Sequence, residues 1–356
     1  MARIDDSTIA TVPTIDGHIA QHAAGRTHEE PPLETTGLMV DTAPTADHPT
    51  RDEPEAIFVV GVSRSGTSLL RAVLESHSRV AIAPESHYLT HLLPIESAVH
   101  RFRRVGPPTD DDAVRRVAAL IYSPLFQRGS RLRESSPFWR WLGKHVGQPE
   151  LEDALLQAER TERGLFRALL GLYAMRRGKA IIGEKTPAHV NSVDTLIEWF
   201  PRGRVVHIVR DPRGVFVSEL RRRTAKATTL PYRWLVRAPR LLEGFILVET
   251  AWAWATAVSR HRAYARTYAD EYHLVRFEDL VNQPEGTIAS LCAFLCLSVE
   301  PAMLEQKVVS RGTRLGQSGF DAEAADRWRE SIGPRQKRIL EVLLGRRLRQ
   351  LGYPRT

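Results

Sequence analysis

Cysteine is nearly absent: Cys292 and Cys296 are the only two in 356 residues. That excludes a disulfide framework, and a zinc site would need further ligands beside them. Four residues apart, they read as two small core residues on one helix face. Long apolar runs are missing too. No window approaches the roughly 20 apolar residues of a membrane span, and the most apolar stretch, Gly244 to Val258, is interrupted by Glu249. The N-terminus lacks the basic start and apolar stretch of a secretory signal. These absences predict a cytoplasmic chain. His87 and His91 have i, i+4 spacing but no companions, and no acidic pair suggests a cation site, so no metal is expected. No internal repeat is present, and no base-stacking motif of an RNA-binding module, so no nucleic-acid partner is expected.

What is present is charge, unevenly placed. The formal net charge is +8. Residues 1–50 hold eight acids and two basic residues, which leaves the rest of the chain at +14. A basic body suits an anionic ligand, and charge alone does not say whether nucleotide, nucleic acid or lipid headgroup. Residues 1–53, rich in Thr, Pro, Asp, Glu, Ala and His, are predicted to be a disordered acidic leader. The folded domain is expected over 54–356.

Short apolar runs at Ile57–Val60, Val80–Ala83, Ala180–Gly183, Val205–Val209 and His273–Phe277 predict buried strands. Between them lie helical spacings at Ser68–Ser76, Asn191–Phe200 and the segment after Pro212. Residues 102–175 read as mostly helical, with periodicity over Ala113–Tyr122 and Leu151–Met175, and with Trp139 and Trp141 in a connection. A last helix is predicted from Pro334 to Gln350. Strands alternating with helices imply a three-layer α/β fold around a parallel sheet, with a P-loop-like nucleotide-binding core.

The strongest local signal is Phe58-Val59-Val60-Gly61-Val62-Ser63-Arg64-Ser65-Gly66-Thr67-Ser68-Leu69-Leu70. It reads as strand, glycine-bounded loop and helix. Free N–H groups at such a helix start point at an anion, and the helix dipole favours it. Gly61 and Gly66 have the Walker A spacing, but Thr67 stands where that motif has lysine. The missing lysine argues against an ATPase or kinase. Arg64 lies inside the loop instead, and Thr67 and Ser68 add hydroxyl donors.

The second signal is Val205-Val206-His207-Ile208-Val209-Arg210-Asp211-Pro212-Arg213-Gly214, continuing to Ser218 and Arg222. Arg210 ends a buried strand, where α/β proteins place ligands. Ser218 and Arg222 share a helix face. Arginine and hydroxyl together suit a phosphate monoester, while a surface ion-pair cluster with Asp211 would use the same residues.

Together the two segments resemble the sulfotransferase family that uses 3′-phosphoadenosine-5′-phosphosulfate (PAPS). The first looks like its 5′-phosphosulfate loop, the second like its 3′-phosphate strand and helix. The resemblance runs from about Ala56 to Pro354, with 100–178 poorly matched. Within the family the similarity is closer to tyrosylprotein sulfotransferases and their bacterial relatives. The run Gly183-Glu184-Lys185-Thr186-Pro187 is similar to one in heparan sulfate sulfotransferases. The resemblance implies a sulfotransferase fold, PAPS as co-substrate, and roles for individual residues. Glu85 falls at the catalytic base, although Ala83-Pro84-Glu85-Ser86-His87 departs from the Gly-Glu-Glu-Thr-Arg run of the tyrosylprotein enzymes. From the residues alone Glu85 does not separate from Glu75 or Glu96, and His87 competes for the role. Lys185 matches a transition-state lysine. Arg64, Ser65, Gly66, Thr67 and Ser68 match the phosphosulfate loop, and Arg210, Ser218 and Arg222 the 3′-phosphate ligands. Phe277 falls at a cofactor-contacting tyrosine, without its hydroxyl. Arg327 falls at a PAPS-binding lysine, and residues 313–320 at a loop covering the nucleotide.

The acceptor implied is a hydroxyl on a lipid, glycolipid, natural product or sugar, with a peptide tyrosine as the alternative. The helical insertion at about 100–178 is expected on the acceptor side. Residues 224–262 mix basic and aromatic side chains. They fit a lipid-facing helix with peripheral membrane contact, or a buried helix with a solvated basic face. The rival functions are a P-loop kinase and a non-enzymatic binder of an anionic polymer.

Overall fold

The computed structural model describes residues 53–90, 97–130, 133–225, 238–310 and 313–354, with the side chains of 130, 133–134, 307–310 and 313–318 excepted. All belong to one unit, Pro49–Thr356. The expected leader lies outside the described residues except for Glu53, which is buried and paired with Arg79. His91, Lys226, Arg233 and Arg237 also lie outside them.

The central sheet is parallel. It contains β1 (Ala56–Gly61), β4 (Ile182–Lys185), β5 (Gly203–Val209) and β6 (Tyr272–Arg276) in the order β4-β1-β5-β6. Two short antiparallel pairs lie outside it, β2 (Gly129–Ser130) with β3 (Arg133–Glu134) and β7 (Lys307–Ser310) with β8 (Thr313–Ser318). Val80–Ala83, expected as a full strand, instead makes isolated parallel bridges along β4. Ala81 and Ala83 donate to the Ile181 and Gly183 carbonyls, and Pro84, which has no N–H to give, ends the pairing.

Alternation along β1 builds a layer on each face. Ala56, Phe58 and Val60 enter one buried cluster, and Ile57 and Val59 enter the other. The first cluster includes residues of the helices between α1 (Thr67–Ser76) and β4, which are α2 (Ala98–Val105), α3 (Asp111–Tyr122), α4 (Pro124–Gln127), α5 (Pro137–His145), α6 (Gln148–Gln157) and α7 (Glu162–Arg177). The second includes α1, α11 (Phe277–Asn282) and α12 (Pro284–Phe294). A third cluster joins α9 (Pro212–Ala225), α10 (Pro239–Thr267) and α13 (Pro334–Gln350) around the fully buried Trp254. The remaining helix, α8 (Val193–Trp199), precedes β5.

Several expected boundaries move, each for a local reason. The helix predicted over 191–200 is a 3₁₀ turn, Pro187–Asn191, followed by α8. The 151–175 helix divides where Thr161 caps α7 by accepting from the Gly164 N–H. Trp139 and Trp141 lie in α5 rather than a connection, because Pro137 opens a helix at its first turn. The cysteines do not share a helix face. Cys292 is buried in α12, but the helix ends at Phe294 and Cys296 is exposed with φ 53°. By length and composition α10 could cross a membrane, yet Leu242, Ile246, Ala251 and Trp254 bury one of its faces in the third cluster.

Candidate active site

The carboxyl ends of β1, β4 and β5 adjoin. Val59 is in register with Lys185 on one side, and Gly61 with Ile208 on the other. The chain leaving β1 forms the anion loop, the end of β4 carries Lys185, and the residue after β5 is Arg210. This crevice is where parallel sheets accept ligands.

Two glycines shape the loop. A Cβ on Gly61 would lie 2.5 Å from the Ile208 carbonyl oxygen, and one on Gly66 would lie 2.4 Å from the Phe277 ring. Gly66 also has φ 96° and stands at the N-cap of α1 with no side chain capping the helix. The first N–H groups of α1 therefore remain available to an anion. Arg64 adopts φ 70°, an uncommon conformation for a residue with a Cβ. Its Nε donates to Ser218 Oγ at 3.0 Å, which ties the loop to α9. Ser65 is fully buried, and its hydroxyl has no hydrogen-bond partner. Thr67 is buried and Ser68 exposed.

Arg210 lies with its guanidinium 4.2 Å from the Phe277 ring centroid. It donates to the carbonyls of Ala324 at 2.6 Å and Arg64 at 3.4 Å, while its buried Nε has no partner. Burial lowers the pKa of both Arg64 and Arg210, yet arginine remains charged. An exposed arginine on the loop, a half-buried arginine beside it, an orphaned hydroxyl and an uncapped helix start fit a phosphorylated or sulfated nucleotide.

The outer members of the expected set are engaged differently. Arg222 shares a face with Ser218 but is bonded to Glu219, and its charge acts on Arg64. Arg327 is held by Asp321 at 2.6–2.8 Å. Phe277 opens α11 instead of ending β6, and its ring packs between Gly66 and Arg210.

Glu85 and Lys185 meet. Lys185 Nζ donates to Glu85 Oε1 at 2.5 Å, and His87 Nε2 is 3.4 Å from Glu85 Oε2. Partial burial raises the Glu85 pKa, but the His87 hydrogen bond and the Lys185 charge outweigh it and hold the carboxyl at about 2. The Glu85 charge also reaches Arg64, which joins the carboxylate to the anion loop.

The residues that position this pair escape a sequence reading. Glu184 is fully buried beside Lys185, and its Oε1 accepts from Ser86 N–H at 2.8 Å, Ser86 Oγ at 2.7 Å and Thr186 Oγ1. His189 Nδ1 lies 2.9 Å from Glu184 Oε2, and its Nε2 accepts from Leu89 N–H at 3.1 Å, which assigns the Nδ1–H tautomer. Burial raises the Glu184 pKa, but these partners reverse the shift and keep it low. From the other side, Ser136 Oγ and Phe138 N–H donate to the Glu85 carbonyl, and Trp139 Nε1 to the Ser86 carbonyl at 2.9 Å. A charged residue inside a buried strand was the one available signal for Glu184.

A family model described as "Sulfotransferase family" matches residues 54–301. The chain is 27% identical over 259 residues to the omega-hydroxy-beta-dihydromenaquinone-9 sulfotransferase Stf3 of Mycobacterium tuberculosis, covering 68% of this chain and 62% of that protein. It is 29% identical over 177 residues to mouse carbohydrate sulfotransferase 5, covering 42% and 41%. The chain thus spans under two thirds of the length of these curated relatives. The sulfotransferase domain from the curacin biosynthetic pathway superposes with TM-score 0.52 at 19% identity, covering 85% of this chain and 98% of that domain.

Proposed function

As the chain belongs to the sulfotransferase family, we propose that it transfers a sulfuryl group from PAPS to the hydroxyl of a lipid or other largely apolar alcohol. The observation that carries this reading is the meeting of Glu85, Lys185 and the Arg64 loop at the carboxyl ends of three adjacent strands. The relative named for a menaquinone substrate supports the lipid side of it.

PAPS would lie with its sulfate over the N–H groups of Gly66 and Thr67, the Ser65 N–H being spent on the Val62 carbonyl at 3.1 Å, and its 3′-phosphate against Arg210 and Ser218. Phe277 fixes Arg210 by stacking. Ser68 adds a donor at the loop, while Arg222 and Arg327 contribute charge at its edge. In the transfer, the acceptor oxygen attacks sulfur as the bond from sulfur to the bridging phosphate oxygen breaks. Glu85 takes the acceptor proton, and PAP leaves. Lys185 and Arg64 balance the charge that grows on the bridging and equatorial oxygens. Glu85 is a weak base while paired with Lys185. The ion pair therefore opens as Lys185 turns to the leaving oxygen, and the carboxylate regains basicity. The chain's own residues supply a proton acceptor, cations and hydrogen-bond donors, and no step requires a metal.

The test is transfer of radiolabelled sulfate from PAPS to alcohols of graded apolarity, with PAP and ATP as competitors. Product formation inhibited by PAP far more than by ATP supports the reading. Absence of PAP binding would remove it.

A further inference from the structure

The first half of α10 has two apolar faces. One enters the core through Leu242, Ile246 and Trp254. The other faces solvent, with Leu241 65%, Phe245 50%, Val248 63% and Trp252 63% exposed. Their spacing of four, three and four residues aligns them on one stripe about three turns long. Large apolar side chains exposed in a row mark a contact surface rather than scattered solvent-facing residues.

Charge decides what covers it. Between Glu219 and Glu243 the sequence holds seven basic residues and no acid, counting from Arg221 to Arg240, and Arg221 and Arg240 are exposed at the ends of the two helices. The chain from residue 51 onward carries +14. A second copy would bring the same positive charge against this stripe. An apolar seam this short is also marginal for a coiled coil. An anionic bilayer instead neutralises the exposed Arg221 and Arg240, receives the apolar row, and gives Trp252 the interfacial position that indole rings favour.

We propose that this face of α10 docks on the surface of an anionic membrane, with Leu241, Phe245, Val248 and Trp252 entering the headgroup boundary. The docked face adjoins the candidate site. Arg223 of α9 lies 5.9 Å from the Phe245 ring centroid and pairs with Glu249 at 2.7 Å. Ser218, the partner of Arg64, precedes Arg223 by five residues, about 8 Å along the same helix. A membrane-borne alcohol thus meets the protein one helix away from the anion loop. The helix lies on the bilayer and does not span it, because its other face is committed to the core. This deepens the alcohol-acceptor reading and rests on it only for what the bilayer delivers.

The experiment is sedimentation of the full chain with vesicles of phosphatidylcholine alone and with about one third phosphatidylglycerol. Melting temperature and PAP affinity serve as controls. Wild type should pellet with the anionic vesicles. Val248→Ser/Trp252→Ser should bind them at least tenfold more weakly with both controls unchanged, and Arg240→Glu should weaken binding and its salt sensitivity. Equal binding by the double variant would overturn the proposal, as would a wild-type dimer that the double variant dissociates while neither protein binds vesicles. Sulfuryl transfer to a soluble alcohol and to one embedded in vesicles separates the two readings. Vesicle binding without transfer to either alcohol removes the function and leaves the docking. Transfer to the soluble alcohol without vesicle binding does the reverse.

Discussion

Lys185 Nζ and Glu85 Oε1 stand 2.5 Å apart across a hundred residues of sequence. The contact makes each residue the other's counterion and places both beside the Arg64 loop. Glu85→Gln should lower turnover roughly 10²–10⁴-fold, the usual contribution of a general base, with PAP affinity unchanged by calorimetry. Lys185→Ala should also lose turnover, through lost charge stabilisation. An acceptor with a more acidic hydroxyl should partly rescue Glu85→Gln and not Lys185→Ala. Wild-type turnover in Glu85→Gln would move the base to His87, 3.4 Å away.

Arg210 offers a buried Nε without a partner and a guanidinium fixed on Phe277. Arg210→Ala should weaken PAP binding by about 1.5–3 kcal/mol, the range for hydrogen bonds to charged groups. Calorimetry on both proteins checks this, and equal affinities would show that Arg210 is not a phosphate ligand.

Gly66→Ala puts a methyl group within 2.4 Å of the Phe277 ring at a φ of 96°. It should destabilise the protein by about 1–3 kcal/mol from backbone strain and weaken PAP binding by displacing the ring under Arg210. Adding Phe277→Ala removes the clash but not the strain, so the melting temperature should recover only in part.

Glu184→Gln replaces an acceptor facing His189 Nδ1–H with an amide that satisfies fewer of its neighbours. Stability should fall by about 1–3 kcal/mol, the cost of leaving a buried polar group unsatisfied. Turnover should fall more than PAP affinity, because the Glu85 loop loosens and the anion loop does not. A parallel loss of both would assign Glu184 to the fold alone.

His207 is buried behind the anion loop, with Nδ1 2.6 Å from the Tyr272 hydroxyl. Burial, with a smaller contribution from His261, holds its pKa down at about 3, against 6.5 for the free side chain. The unfolded chain therefore binds this proton first, and the neutral imidazole stabilises the fold fully above pH 6.5. That contribution is lost progressively as pH falls from 6.5 towards 3. The urea midpoint should decline over this window, and His207→Phe should flatten the decline.

The sequence by itself determined the alternation of strands and helices, the glycine-bounded loop and the arginine at the end of β5. Each is a local matter of apolar period, glycine placement and strand end. Pro334–Gln350 appears as a helix with its expected bounds because its apolar period and its proline at the first turn agree. The sequence did not determine where helices break inside 151–175 or that Cys296 lies past its helix, since those depend on caps and chain reversal. Only tertiary structure decided which of many acids stands beside Lys185. Parallel pairing along β4 brings residues 83 and 184 together, and α5 holds the Glu85 carbonyl from the far side. Arg222 and Arg327 look like free phosphate ligands in sequence, but folding gives them carboxylate partners. It also leaves Leu241, Phe245, Val248 and Trp252 outside. A 29-residue helix apolar on two sides can bury only the one that its neighbours cover.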